Sequence, residues 1–149
     1  FRAVKKHIKP LFNGGKQQIN LVYGPDVAAA VLACLGKSRA FNQIYNVASP
    51  KPCSTKTLMS TIAQKLGVWT IPLPLPIAAL FPVCLLKELT SKLTGKANIL
   101  SRQKYRELKA EGWVCSVDKI KNDLDFVAET TLEQGIAKTI QWYTRNGWL

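Results

Sequence analysis

The sequence predicts an α/β fold that is mostly helical, with a few short strands. Two successive units each place a run of β-forming residues ahead of a helical segment. "QQINLVYG" precedes "VAAAVLACLGKS", and "NQIYNVAS" precedes "TKTLMSTIAQKLG". Strand–helix units in succession are typical of α/β layers. The chain has 149 residues, 47% of them hydrophobic, which is enough for one core.

The first segment is predicted to be an amphipathic helix. Phe1, Val4, Ile8 and Leu11 recur at helical spacing until "NGG" at 13–15 breaks the pattern with a turn. His7, the single histidine, falls on the polar side of this helix and is interpreted as a surface residue.

Capping residues mark where the next helices begin. Asp26 follows the strand that ends at Gly24 and Pro25, and we expect it to be the N-cap of the Ala-rich helix, which Gly36 closes. Ser54 caps the second helix, where Leu58, Ile62 and Leu66 share one side. Asn46, directly after "QIY", is interpreted as a turn or cap residue.

Residues 66–86 carry no charge, but four prolines make a membrane span unfavourable. We predict an extended "TIPLPLP" segment that leads into a helix from about residue 77. As alternatives to plain core, this segment could wall an apolar pocket, form a subunit contact or rest on a membrane surface.

The last third is predicted to contain three helices and one short strand. Ser101 caps "SRQKYRELKAEG", an exposed helix that Gly112 ends; "WVCS" is a strand; and Asp118 begins "DKIKNDLDF". Thr130 or Thr131 caps the final helix. One face of that helix is apolar and comprises Leu132, Ile136, Ile140 and Tyr143.

The composition excludes several classes of function. A net charge of +12 favours acidic partners, but the basic residues are scattered, so a solvated basic face is preferred over a nucleic-acid site. Four separated cysteines without companion histidines support neither a metal site nor a disulfide framework, and fit reduced thiols in a cytoplasmic protein. Core and contact roles are predicted for the four tryptophans, Trp69, Trp113, Trp142 and Trp148.

Four blocks of sequence, in order, resemble the C-terminal part of extended short-chain dehydrogenases, the NAD-dependent epimerase/dehydratase family with its hydroxysteroid-dehydrogenase-like branch. They are "INLVYGPDVAAAVLACL", "QIYNVASPKPCSTKTLMSTIAQKLG", "GWVCSVDKIKNDLDF" and "TTLEQGIAKTIQWYTRNGWL". Asp125 stands where such proteins often have glycine, and Ala128 where proline is common.

The resemblance implies that residues 1–149 form a substrate-side portion. A Rossmann portion that binds NAD or NADP would precede residue 1, and this chain alone would be inactive, with no cofactor bound to it. Small-molecule substrate contacts are expected at Lys16, Ile19 and Tyr23. An arginine that binds phosphates in nucleotide-sugar enzymes has no counterpart near Ile19, so an apolar substrate such as a steroid-like or isoprenoid alcohol is favoured. Homo-oligomerisation and peripheral membrane contact stay open.

Tyr105 and Lys109 have the spacing of the catalytic Tyr-x-x-x-Lys pair of this family, but lie on a highly charged helix and downstream of its usual place. We interpret the match as coincidental and predict that both side chains face solvent. No catalytic, cofactor-binding or metal-binding residue is therefore assigned. The alternative hypothesis is a basic, non-enzymatic module that binds nucleic acid or an anionic membrane surface.

Overall fold

A computed structural model describes residues 1–94 and 102–149 of the chain. In this structure, the described residues form seven helices and five short strands, which confirms the predicted α/β class with helix predominant. The helices are α1 (Arg2–Lys5), α2 (Gly24–Cys34), α3 (Thr55–Leu66), α4 (Ile77–Thr94), α5 (Arg102–Lys109), α6 (Asp118–Leu124) and α7 (Leu132–Arg145). The strands are β1 (Ile8–Phe12), β2 (Gln18–Ile19), β3 (Cys53–Ser54), β4 (Ile71–Leu75) and β5 (Gly112–Trp113).

The strands form two small sheets. β2 lies in the centre of a three-stranded sheet, antiparallel to β3 and parallel to β5, with Ile19 opposite Cys53 and Trp113. β1 and β4 form a two-stranded parallel ribbon in which Ile8 pairs with Ile71 and Phe12 with Leu75. The sheets are short, so the helices provide most of the packing.

The main core lies between α1, α3 and α7. Val4, Ile62, Ala63 and Ile136 are buried there, and partly buried side chains surround them, among them Leu58, Leu66, Leu132 and Ile140. Both long helices begin with a side-chain cap. Ser54 Oγ accepts from Thr57 N at 3.0 Å, and Thr131 forms a reciprocal capping box with Gln134. The predicted apolar faces of α3 and α7 are confirmed, as are the caps at Ser54 and Thr131.

The predicted helix at the start of the chain is wrong beyond Lys5. His7 adopts a left-handed conformation with φ of 64°, and the chain turns there into β1. His7 is therefore not on a helix: its ring stacks on Trp69 at 4.4 Å, and Nδ1 donates to the Trp69 carbonyl at 2.8 Å. Pro10 within β1 explains the change, since it disfavours a continuous helix through residues 8–11.

The predicted strand "NQIYNVAS" is also wrong. Residues 42–49 contain no strand, although Ser49 N donates to the Leu21 carbonyl at 2.7 Å. A strand needs a neighbour along its whole length, and here the pairing is limited to its end. The strand preceding α2 is likewise only two residues long, and Gly24 belongs to the helix rather than ending the strand.

The uncharged segment folds as predicted, with β4 extended and α4 beginning at Ile77. Among the described residues, no helix is long and apolar enough to cross a membrane. In α5, Tyr105 is half-buried with its ring 5.2 Å from that of Phe81, so only Lys109 of this pair is solvent-facing. α5 ends at Lys109, before Gly112, which belongs to β5, and the predicted cap Ser101 lies outside the described residues.

Asp125 ends α6 in a left-handed conformation, with φ of 53° and ψ of 35°. This is the conformation that glycine adopts most readily, so the turn keeps its shape although the residue differs from the family pattern. The tryptophans are less buried than predicted: each of the four is at least half exposed, and Trp142 and Trp148 pack edge to face at 5.3 Å.

Candidate functional site

An apolar cavity of about 240 Å³ lies between the segment 21–23, the turn 49–53, α3 and the first turns of α7. Its walls come from both halves of the chain. Leu58 and Ile62 of α3 and Ile136 of α7 form its base, where it adjoins the main core. The other lining residues are Phe1, Leu21, Val22, Tyr23, Ser49, Lys51, Cys53, Thr130, Thr131, Leu132, Gly135 and Thr139.

Two hydrogen bonds hold α2 against the start of α7. The Asp26 carboxylate accepts from Thr130 N at 3.2 Å and from Thr130 Oγ1 at 2.9 Å. The predicted capping role of Asp26 is wrong, because the N-cap position is Tyr23 and the Asp26 side chain points to another element. A helix that begins at Gly24, with Pro25 in its first turn, moves Asp26 inside the helix and frees its carboxylate for this contact.

Tyr23 forms the wall where α2 begins. A Cβ at Gly135 would lie 3.6 Å from Thr130 Cγ2 and 3.8 Å from Tyr23 Cβ, so α7 passes close to this wall. Lys138 Nζ stands 5.4 Å from the centre of the Tyr23 ring, within the range of a cation–π contact. Tyr23 is therefore held at the cavity wall by its neighbours.

Asn20 positions the opposite wall. Its Nδ2 donates to the Ser49 carbonyl at 2.6 Å, and its Oδ1 accepts from Cys115 N at 3.3 Å. These bonds connect the end of β2 to the turn at 49–53 and to the residues after β5. Sequence reasoning did not single out Asn20; the signal available was an amide at the end of a predicted strand, which is common in turns as well.

The polar groups of the cavity are few. Thr130 Oγ1 donates to Asp26, Thr139 Oγ1 donates to the Gly135 carbonyl at 2.7 Å, and Thr131 serves the capping box. Lys51 is the cation among the lining residues, and none of them is His, Asp or Glu. The cavity consequently suits binding of an apolar molecule better than proton transfer, which needs a group that titrates near neutral pH.

Cys53 brings a thiol to the cavity wall. Partial burial raises its pKa, and the negative charge of Glu133 raises the pKa further. The thiol therefore stays protonated at neutral pH, where a thiolate would be required for nucleophilic attack or metal binding. Among the described residues, no cluster of three or more His, Cys, Asp and Glu side chains could hold a metal ion.

The predicted substrate contacts are only partly brought together. Tyr23 lines the cavity, whereas Lys16 is exposed in the turn after β1 and Ile19 is half-buried in the centre of the three-stranded sheet. Neither Lys16 nor Ile19 lines this cavity, and none of the described side chains of 66–86 does. Tyr105 and Lys109 are also absent from its walls. Substrate contact at Lys16, Ile19 and Tyr23 stays a prediction.

The turn Asn13–Gly15 does not fit a dinucleotide phosphate. It is a single 3₁₀ turn between two strands, whereas a phosphate loop leads into the N-terminus of a helix. A Cβ at Gly15 would lie 2.9 Å from both Leu11 Cδ2 and Lys56 Cβ. Glycine is therefore required here by packing within the chain.

No protein-family model and no curated protein sequence matches this chain. Solved structures do match its fold. A dTDP-glucose 4,6-dehydratase from Bacillus anthracis, in complex with NAD, matches with a TM-score of 0.66 and 18% identity over 99% of this chain and 38% of its own. A UDP-glucose 4-epimerase from Thermotoga maritima, with UDP-glucose, matches with a TM-score of 0.66 and 16% identity over 97% of this chain and 37% of its own.

The enzyme WbmF from Bordetella bronchiseptica, in complex with NAD⁺ and UDP, matches with a TM-score of 0.66 and 24% identity, over 99% of this chain and 35% of its own. The chain thus spans less than half of the length of each of these enzymes. It has the fold of one part of a Rossmann-type extended short-chain dehydrogenase, as the resemblance implied.

Proposed function

We propose that this chain is the substrate-side portion of an NAD(P)-dependent epimerase, dehydratase or hydroxysteroid-type dehydrogenase. The observation that carries the proposal is the match over 97–99% of the chain to the enzymes named above. In the complete enzyme, hydride would pass between the nicotinamide and a substrate carbon that bears a hydroxyl. The Rossmann portion, with the cofactor site and the catalytic tyrosine and lysine, would lie outside residues 1–149.

The surface around α2 supports this proposal. Val31 and Leu32 on α2 and Leu35 just after it are 58–68% exposed, and Ile44, nine residues further along the chain, is 85% exposed. Residues 43–48 form no strand with any described residue, although their sequence is rich in β-formers, and Asn42 before them has a left-handed φ of 57°. Exposed apolar side chains beside a β-rich segment without a strand partner are expected where a neighbouring part of the fold is missing. We therefore place the contact with the Rossmann portion here.

The cavity behind Tyr23 is proposed to hold the apolar part of the substrate. Its base is Leu58, Ile62 and Ile136, and Lys51 is the one cationic side chain among its described lining residues, so there is little positive charge to pair with a nucleotide diphosphate. An alcohol with a steroid or isoprenoid body fits walls of this kind. Tyr23 would contact the substrate directly, while Lys16 and Ile19 would contact it only in a pose that extends beyond the cavity.

Two titrations test the proposal. With NADH, the 149-residue chain should show no tight stoichiometric binding by calorimetry; tight binding would contradict a cofactor site outside these residues. With farnesol or a 3-hydroxysteroid, the chain should bind, and Cys53→Leu, which narrows the cavity, should weaken binding at least about tenfold. Cys115→Leu is the matched control, since Cys115 is half-buried outside the cavity. Equal affinity of the two variants would remove the cavity from the proposal.

A further inference from the structure

The outer face of the β1–β4 ribbon is apolar, and the described residues leave three of its six side chains exposed. In a parallel pair, partners in register point to the same side, so Ile8, Pro10 and Phe12 share a face with Ile71, Leu73 and Leu75. On this face Ile71 is 60% exposed, Leu73 45% and Ile8 43%. On the opposite face, Leu11 is buried and Lys9 Nζ donates to Ser60 Oγ of α3 at 3.4 Å. The ribbon therefore packs on α3 with one side of β1 and presents its other side to solvent.

Prolines disfavour strand addition at the outer edge of β4. Ile71 N donates to the His7 carbonyl at 2.9 Å, so alternate residues of β4 direct their backbone groups toward β1. Pro72 and Pro74 fall at the positions whose backbone faces the free edge, where proline has no N–H to offer. A protein partner that adds a strand to β4 would find no N–H donors at Pro72 and Pro74, which favours contact through the apolar face over contact through this edge.

An aromatic residue lies next to this face. Trp69, two residues before Ile71, is 67% exposed and stacks on His7 at 4.4 Å. The His7 hydrogen bond to the Trp69 carbonyl holds the two residues together where β1 and β4 begin. Tryptophan is enriched where an apolar phase meets water, because its ring is apolar and its N–H is polar.

Positive charge surrounds the same part of the chain. Residues 1–87 contain eleven lysines and arginines and a single acidic residue, Asp26, so this stretch carries a formal charge of +10. Lys5 and Lys6 are exposed just before the ribbon begins, and Lys16 is exposed just after β1 ends. Asp26 accepts hydrogen bonds from Thr130 and lies outside the ribbon. A flat apolar face with cations at both ends complements an anionic surface that has an apolar interior.

We propose that the outer face of the β1–β4 ribbon docks this chain onto an anionic lipid membrane. The residues of the face would enter the boundary between headgroups and acyl chains, and Lys5, Lys6 and Lys16 would contact the lipid phosphates. This surface is separate from the one assigned to the Rossmann portion around α2, so the proposal does not rest on the proposed function. A second copy of the chain is the competing occupant, but two copies would bring like charges together.

Vesicle sedimentation tests the proposal on the 149-residue chain. With vesicles of 70% phosphatidylcholine and 30% phosphatidylserine at 0.15 M salt, the chain should sediment, and pure phosphatidylcholine should retain much less of it. Binding should fall as salt is raised, because the phosphate contacts are screened. Absence of binding to the anionic vesicles would overturn the proposal, and so would equal binding to both kinds of vesicle.

Two pairs of variants locate the contact. Ile71→Ser with Leu73→Ser should lower the partition coefficient at least about thirtyfold, whereas Val31→Ser with Leu32→Ser, equally exposed on α2, should leave it unchanged. Lys5→Gln with Lys6→Gln should lower it about twentyfold on the anionic vesicles, with Lys37→Gln and Lys121→Gln as the control of equal charge. The proposal would be overturned if the α2 variant lowered the partition coefficient as much as the ribbon variant does. It would also be overturned if the ribbon variant lost self-association but kept its binding to vesicles.

Tryptophan fluorescence tests the contact first on the unaltered chain, where no substitution can disturb folding, and then on two conservative variants. Lipids brominated near the top of their acyl chains should quench part of the tryptophan emission on binding. Trp69→Phe should remove most of that quenching, and Trp142→Phe, half exposed on α7 and outside the ribbon, should retain it. Quenching that survives in Trp69→Phe would place the contact elsewhere on the molecule.

Discussion

The α3–α7 core and the α2 region differ in how far their apolar side chains are buried within this chain. In the core, Val4 and Ile62 are nearly inaccessible, and both long helices begin with side-chain caps. Around α2, Leu32 and Ile44 are exposed, and the segment with strand character has little to pair with. Both regions have sequences that favour regular structure, so the difference lies in the partners that each region finds within this chain.

The buried and the exposed apolar residues of this chain have different roles: the first stabilise the fold, and the second are available for binding. The core accounts for the stability of the chain, because burial of apolar area is the main favourable contribution to folding. The exposed apolar residues of α2 and the ribbon contribute little to stability and are available for contact with other molecules. Substitutions in the core should therefore lower stability, whereas substitutions of the exposed apolar residues should leave it nearly unchanged.

The largest difference in the free energy of unfolding is expected between alanine variants of a buried and an exposed isoleucine. Ile62→Ala should lower the free energy of unfolding by about 3 kcal/mol, because it leaves a cavity beside Val4 and Ile136. Ile44→Ala, at a side chain that is 85% exposed, should change it by less than about 0.5 kcal/mol. Urea unfolding of both variants measures the difference. Equal losses would contradict the division into a core and an open region.

Two glycines with similar backbone angles test local packing. Gly15 and Gly36 have φ of 73° and 70°, so alanine is strained at both by about 1 kcal/mol. At Gly15 the added methyl group also meets Leu11 and Lys56, while at Gly36 it meets no atom within 4 Å. Gly15→Ala should therefore cost about 1–3 kcal/mol more than Gly36→Ala in the same urea assay. Similar costs would show that the turn relaxes easily.

The cap of α7 should have a moderate effect. Thr131→Ala removes the side-chain half of the capping box and should destabilise the chain by about 1 kcal/mol. Thr144→Ala, exposed near the other end of the helix, serves as the control. Thermal unfolding followed by circular dichroism gives both values, and a control as costly as the cap variant would argue against the box.

The smallest effect should appear at alkaline pH. Because the folded chain holds the Cys53 proton more tightly than the unfolded chain, its stabilising contribution is present below the ordinary thiol pKa and is lost as pH rises through the raised pKa. Stability should therefore decline above about pH 9. Cys53→Ala should reduce this decline, and Glu133→Gln, which removes one cause of the raised pKa, should reduce it less. An unchanged slope in Cys53→Ala would contradict the assignment.

Sequence patterns predicted what is determined locally. Ser54, Thr131 and the apolar faces of α3 and α7 were predictable because caps and helical periodicity depend on nearby residues. The start of α4 followed from the last proline of "TIPLPLP". The predictions that failed depend on distant partners: His7 turns the chain to meet Trp69, and residues 42–49 lack a neighbouring strand.

The candidate site was less predictable for the same reason. Tyr23 was selected from the resemblance, but the cavity exists because Asn20, Asp26 and Thr130 connect segments far apart in sequence. In the sequence alone, each of these residues is explained equally well as a turn or cap residue. Their bonding partners become evident only once the two halves of the chain are placed together.

The Asp26–Thr130 contact also has a consequence for the order of folding. These two residues are 104 positions apart, so the contact must wait until most of the chain is available. Long-range contacts form slowly because the loop between them must first be closed. During synthesis α2 and α3 would emerge well before α7, and the cavity would be the last feature to assemble. Refolding experiments should accordingly detect helix formation earlier than ligand-binding capacity.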